Sequence, residues 1–175
     1  FRKAVEQLEK LVEAGYSVLP VMSGTAYGSD TRFGKAADWI AQIETLCGRP
    51  IIHTIVDAEP IGPKRLVDVM AVCPCTGNTA AKLAHGITDT PVTMAVKSSL
   101  RNQIPVVLTM ATNDALSGSA QNIGRLMNTN HLYFTPMGQD DVVKKPTSVI
   151  ADFTKLQEAI EGALRGEQVQ PLLRA

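Results

Sequence analysis

The segment Cys73-Pro74-Cys75-Thr76-Gly77-Asn78-Thr79 is the stretch of the chain best equipped for chemistry. It follows an apolar run and opens a helical pattern. Thr76, Asn78 and Thr79 bring hydroxyl and amide groups to a point where the first N–H groups of a helix have no partner within the helix. Gly77 lacks a Cβ and lets a ligand approach the main chain. Such a cluster suits a planar cofactor with a polar edge, or an anion. An ordinary helix cap needs the same residue types, so the pattern has a bland explanation as well. Met110-Ala111-Thr112-Asn113-Asp114 follows the next apolar run. There Asn113 can donate and accept toward the same ligand edge, or simply form an Asn/Asp turn. Ser23 ends an earlier apolar run and offers its hydroxyl to a phosphate, or is a plain loop serine.

Other chemistries are disfavoured. Cys73 and Cys75 form a C-x-C pair, but Cys47, His53, His85 and His131 add no paired spacing, so no metal site is expected. Cys73 reads as a small core residue and Cys75 as an exposed loop thiol. A nucleophilic Cys75 would need a neighbouring base or cation. His85, just before Gly86, reads as a loop or cap residue. The chain has no GxxxxGK[ST] phosphate loop, no GxSxG elbow and no complete GxGxxG turn, which argues against nucleotide hydrolysis and the common serine hydrolases. Lys plus Arg and Asp plus Glu each total 17, the pI is near 7.0, and no electrostatic footprint for nucleic acid or anionic membrane results. No apolar run reaches bilayer length and no signal-peptide pattern leads the chain. Three cysteines cannot all pair, which favours a reducing cytoplasm.

The elements that must position these loops follow from periodicity. With 175 residues, 45% of them hydrophobic, the chain is expected to form a single domain over residues 1–175. Arg2 to Ala14 has Val5, Leu8, Leu11 and Val12 on one helical face and stops at Gly15. Strands are expected at Ser17–Met22, with Pro20 marking an edge or irregularity, and at Ile51–Val56, Leu66–Cys73, Pro105–Met110 and Leu132–Phe134. Asp30 or Thr31 can cap a helix containing Phe33, Ala36, Ala37, Ile40, Ile43 and Cys47 that ends at Gly48. Further helices are expected at Thr76–Ala84, at Pro91 to about Leu100 behind the cap Thr90, at Gln121–Met127 and at Asp152–Leu164. This alternation predicts a parallel sheet covered by helices on both faces. Ligands bind such sheets beyond the carboxyl ends of the strands, where Ser23–Asp30, Asp57–Pro63, Pro74–Thr79 and Met110–Gly118 should gather.

Pro74-Cys75-Thr76-Gly77-Asn78-Thr79, followed by Ala81-Lys82-Leu83-Ala84-His85-Gly86-Ile87-Thr88-Asp89, resembles the core signature of the flavoprotein family. That family includes the homo-oligomeric flavin-containing cysteine decarboxylases and the flavin prenyltransferases. Its pattern is Pro-Ala-Ser-Ala-Asn-Thr, a helix, then Ala-x-Gly-x-x-Asp. Leu108 to Asn113 is similar to the family's second motif, Pro-Ala-Met-Asn at a strand end, with Met110 and Thr112 in place of its Pro and Met. Asn122 to Leu126 and Tyr133 to Gly138 extend the likeness over nearly the whole chain. The resemblance implies a Rossmann-like (flavodoxin-like) three-layer α/β/α sandwich whose first strand, with the flavin-phosphate turn, has no counterpart from Phe1 onward. An N-terminal strand and phosphate loop are accordingly expected ahead of Phe1. FMN is the implied cofactor. Ser23 would approach its phosphate or ribityl chain, and Pro74, Thr76, Gly77, Asn78 and Thr79 would line it. Asn78 and Asn113 would face the substrate as catalytic residues.

Longer strings resemble one branch of the family more specifically. They are Leu11 to Ser23, Thr31-Arg32-Phe33-Gly34, Ile55 to Pro60, Gly62-Pro63-Lys64-Arg65 and Lys144-Lys145-Pro146-Thr147-Ser148. That branch implies an oxidoreductase subunit in the mother-cell cytoplasm of a spore-forming bacterium. There it works with a nicotinamide-binding A subunit that carries NADP and oxidises dihydrodipicolinate, a small dicarboxylate, to pyridine-2,6-dicarboxylate. Lys82 or Arg101 could act as distant cations toward that substrate, or be ordinary solvated charges. The family resemblance also implies a homo-oligomer, a trimer or dodecamer. Two alternatives remain at this level. One is an FMN-dependent decarboxylase of the phosphopantothenoylcysteine type, although Pro60 stands where those enzymes carry a catalytic histidine. The other is a non-catalytic assembly subunit with a relic pocket.

Overall fold

The most apolar run of the chain lies at the centre of the sheet. In the computed structural model, which describes residues 1–31 and 34–174, β2 (Val106–Thr112) has Val106 to Met110 all buried. Alternate residues of β2 feed different cores. Val106, Leu108 and Met110 join one cluster, and Val107 joins another with Leu11, Leu156 and Ile160. A strand buried on both faces needs no alternation of polarity. β2 pairs in parallel with β1 (Met70–Cys75) on one side and with β3 (Leu132–Phe134) on the other. β1 starts later than the expected Leu66, which is half exposed, and runs past Pro74 to Cys75. Its register slips between Val72 and Cys75, where Pro74 has no N–H to donate.

Helices cover both faces. Helix α1 (Arg2–Glu13) and α8 (Leu156–Leu164) cover one, behind a 3-10 turn at Phe153–Lys155. On the other lie α5 (Gly77–Ala84), α6 (Pro91–Arg101) and α7 (Ala120–Met127). Several ends are where the sequence places them. Gly15 and Gly48 follow α1 and α3 (Ala36–Cys47) at φ +89° and +65°, and Thr90 forms a reciprocal capping box with Thr93 ahead of Pro91. Asp30 does serve α3, accepting from the Ala36 N–H at 2.8 Å, although Lys35 occupies the cap position. Phe33, expected in this helix, lies outside the described residues, as does Arg32.

Three expectations change. Ser17–Met22 and Ile51–Val56 are not strands of the sheet. They meet in a single parallel bridge, Val21 to Ile52, with Ile52 N–H donating to Pro20 O and Met22 N–H to Ile52 O, each at 2.9 Å. Pro20 ends the ladder because it cannot donate. Past Ile52, Thr54 caps a short helix α4 (Ile55–Ala58), its Oγ1 accepting from the Asp57 N–H. Ser23 likewise caps a one-turn helix α2 (Gly24–Gly28) within a segment expected to be loop. Third, a hairpin of β4 (Met137–Asp141) and β5 (Lys145–Ala151) had no sequence signal and joins the sheet antiparallel, with Ala111 opposite Ile150 and Thr112 opposite Val149. The sheet is thus a helix-covered parallel core with an antiparallel hairpin at the carboxyl end of β2. Among the described residues, β1 has no strand on its outer edge. No helix among them is long and apolar enough to cross a membrane.

Candidate functional site

Two loops at the carboxyl ends of β1 and β2 meet. Thr76 is the N-cap of α5, its Oγ1 accepting from the Thr79 N–H at 3.4 Å. Thr76 and Asn78 are exposed, Thr79 and Pro74 half-buried. Asn78 sits in the first turn, and its amide makes no hydrogen bond among the described residues. Cys75 departs from expectation. It is the last residue of β1, wholly buried, and burial pushes its thiol up to about 12. Burial does the same to Cys73, also to about 12, so neither offers a thiolate at neutral pH.

Gly77 is needed for a reason the sequence did not show. A Cβ there would lie 2.6 Å from Thr112 Oγ1, 2.9 Å from Ser119 Oγ and 3.0 Å from Asp114 Oδ1. The space beside Gly77 is filled by the chain's own β2–α7 loop. Asp114 organises that loop. Its carboxylate accepts from the Thr112 hydroxyl at 2.6 Å and from the Ser119 hydroxyl at 2.9 Å to each oxygen. These hydrogen bonds, from Thr112 and then Ser119, hold the Asp114 carboxyl below the usual carboxylate range. A carboxylate also suits a helix start, because the N-terminal end of α5 carries positive partial charge.

The sign of the linkage follows. Asp114 contributes stability above the unfolded carboxyl pKa, about 3.9, and loses that contribution as pH falls through its lower folded value. The destabilisation caused by Asp114→Ala should therefore be present at pH 7 and shrink in acid. Urea melts of both proteins at neutral and acid pH would measure it. A difference that persisted unchanged in acid would contradict this account.

Asn113 is held from far along the chain. Its carbonyl oxygen accepts from Thr147 Oγ1 at 2.7 Å, and its side-chain Oδ1 accepts from Ser148 Oγ at 3.3 Å. Ser148 is buried in β5, so the amide oxygen is tied inward and the NH2 group is left without a protein partner among the described residues. Gly77 and Asp114 join the loops that carry Asn78 and Asn113. The arrangement presents the Asn78 amide, the Asn113 NH2 group and the Thr76 and Thr79 hydroxyls at the neighbouring carboxyl ends of β1 and β2. It can bind the polar edge of a ring or a carboxylate. Ser119, Ser148 and Asp114 were not singled out by the sequence. The only local hint was a strand-end Thr-x-Asp, in which the side chain of Thr112 reaches Asp114.

The other expected residues lie elsewhere in the structure's bonding. The Ser23 hydroxyl is engaged as the cap of α2, accepting from the Ala26 N–H at 3.3 Å. Lys82 is bound to Asp89 at 2.8 Å near the far end of α5, so it is not a free cation. Pro60 lies in a 3-10 turn, Glu59–Ile61. None of the three histidines stands in the two loops. His85 caps the C-terminus of α5, His131 precedes β3, and His53 stacks on Tyr27 with ring centroids 4.0 Å apart.

Comparison with known proteins agrees with this architecture. The family model described as Flavoprotein matches residues 2–164. The B subunit of dipicolinate synthase from Bacillus subtilis is 47% identical over 167 residues, 95% of this chain and 84% of that protein. The crystal structure of the dipicolinate synthase B subunit from Bacillus halodurans superposes with a TM-score of 0.91 at 45% identity, covering 99% of this chain and 89% of the other. An FMN-dependent cysteine decarboxylase shares the fold at a TM-score of 0.53 and 21% identity, covering 71% of each chain. The helix-covered sheet, the Pro74–Thr79 turn at its carboxyl end and the match along residues 2–164 place this chain in the flavoprotein family.

Proposed function

We propose that this chain serves as the B-type subunit of a dipicolinate synthase. In this reading it works with a nicotinamide-binding A subunit in the NADP-linked oxidation of dihydrodipicolinate to dipicolinate. The observation that carries the reading is likeness to such subunits along almost the whole chain, at 47% and 45% identity. The crevice supports it. The Asn113 NH2, oriented by Ser148, and the partnerless Asn78 amide are donors suited to a carboxylate, and hydrogen bonds to an ionised acceptor are the stronger kind. Pro60, at the position of the decarboxylases' histidine, can neither give nor take a proton, which weighs against cysteine decarboxylation. The assembly is read as a homo-oligomer of trimeric or dodecameric type in the mother-cell cytoplasm.

A flavin fits part of the site. Pro74, Thr76, Gly77, Asn78 and Thr79 are read as lining the edge of its ring, with the Thr76 and Thr79 hydroxyls and the Asn78 amide as the polar groups, on the side of the turn away from the Asp114 loop. The same end of α5 already faces the Asp114 carboxylate, so it does not suit the phosphate. Ser23 is the proposed contact for that end of the cofactor. Bound FMN would supply a ring that accepts or relays electrons, while Asn78 and Asn113 hold the dicarboxylate in register.

The test is dihydrodipicolinate oxidation by the complex of A subunit and this chain. Asn78→Ala and Asn113→Ala are each expected to lower kcat/KM by about tenfold to a hundredfold, the worth of a hydrogen bond to a charged group. Complex formation should be unchanged. If both variants kept full activity, the chain would be an assembly subunit instead. If it neither bound nor activated the A subunit, the reading would fall.

A further inference from the structure

At the amino end of the sheet, opposite the Asn78 and Asn113 loops, lies a second hollow of about 360 Å³. Its floor is aliphatic, built from Leu83 of α5, Val96 and Leu100 of α6, and Leu126 of α7. Ile87, half exposed, forms part of its lip. Three cations stand around it, Lys97, Arg101 and Arg125, and no Asp or Glu among the described residues lines it.

None of the three cations has an acidic partner among the described residues. Lys97 and Arg101 make no ion pair or hydrogen bond among the described residues. They stand four positions apart on α6, where like charges repel. Arg101 and Arg125 lie in the last turns of their helices, where a cation is favoured by the helix dipole. Lys97 lies a turn earlier, in the body of α6. Arg125 is fixed by donating from Nη1 to Ala84 O at 3.1 Å, which leaves its other N–H groups free. The nearby acid, Asp89, is already paired with Lys82. The result is uncompensated positive charge over an apolar floor.

We propose that this hollow binds a small carboxylate carried on an apolar body, aromatic or aliphatic. The body rests on Val96, Leu100 and Leu126, and the carboxylate meets Lys97, Arg101 and Arg125. The volume falls within the range of small-molecule sites, about 300–1,000 Å³. A bare phosphate would leave the floor unused. Two sources supply this chemistry. One is pyridine-2,6-dicarboxylate, the product in the proposed reaction, and this arm alone rests on that reading. The other is an unrelated apolar monocarboxylate.

Calorimetric titration of the intact chain with pyridine-2,6-dicarboxylate, benzoate and acetate tests the site. Saturable millimolar or tighter binding of benzoate or the dicarboxylate is expected, with none for acetate, which has no apolar body. Lys97→Gln and Arg101→Gln are exposed and unpartnered, so they should fold normally and weaken binding about tenfold each. Asn113→Ala should leave benzoate binding unchanged, and any dicarboxylate heat that this variant removes belongs to the carboxyl-end crevice. In the Asn113→Ala background, tighter binding of the dicarboxylate than of benzoate identifies the product as the ligand, and the reverse order identifies the unrelated carboxylate. Absence of saturation with both, or affinity unmoved by both α6 variants, overturns the proposal whatever becomes of the oxidation assay.

Discussion

Gly62→Ala is expected to destabilise the protein by about 3 kcal/mol or more, the upper range for overpacking a close contact. The added Cβ would lie 1.9 Å from Ser98 O, 2.3 Å from Ser98 C and 2.7 Å from Asn102 Nδ2. Two of these are main-chain atoms inside α6 and cannot turn aside as a flexible side chain would. Moving the turn away would break the bond from Gly62 N–H to Ser98 Oγ, 3.2 Å, and draw Ile61 and Ala58 out of the core. Chemical denaturation should show a lower midpoint with an unchanged slope. Gly24→Ala is the control, since nothing lies within 4 Å of its Cβ position, and it should shift the midpoint little. Equal midpoints for the two variants would refute the packing argument.

Gly77→Ala should have the largest effect on the candidate site. Its Cβ would press on the Thr112 and Ser119 hydroxyls and the Asp114 carboxylate at once, within 3.0 Å of all three. Those groups bond one another, so one cannot yield without the others. The expected cost in stability is about 1–3 kcal/mol. The expected loss of complex activity exceeds that of Asn113→Ala, because the displacement moves the loops of both Asn78 and Asn113. Side-by-side activity and urea melts would check it. Wild-type activity in a folded Gly77→Ala protein would show that the two loops do not act together.

Much of the fold was legible where local chemistry decides structure. β2 and β3 are short apolar runs. Thr76 and Thr90 are caps, and Gly15 and Gly48 are left-handed stops. Sequence and structure part where one local pattern fits two outcomes. Ser17–Met22 has strand composition, but its extended backbone bonds only at the Val21–Ile52 bridge. Ile51–Val56 hides a helix start, and the Thr54-x-x-Asp57 cap was its unread signal. The hairpin from Met137 to Ala151 has no sequence signal because charged residues interrupt its alternation, and its partners, β2 and the bridge from Met137 to Leu173, are distant in sequence. The same distinction holds at the site. Thr76, Asn78 and Asn113 announce themselves by residue type at strand ends. Asp114, Ser119 and Ser148 gain their roles from contacts between distant segments, for which a single sequence has no spacing rule.

The seating of Asn113 on β5 ties the candidate site to the antiparallel hairpin. The hairpin pairs with β2 only at Ala111 and Thr112, and is held besides by Met137, Val149 and Ala151 in the core and by the bridge from Met137 to Leu173. Proteins open in cooperative pieces, and a peripheral hairpin opens at less cost than a buried central strand. Each such opening withdraws Thr147 and Ser148 and leaves the Asn113 amide free to rotate. In the proposed reading of Asn113, the fraction of molecules able to bind substrate then follows the local equilibrium of β4 and β5.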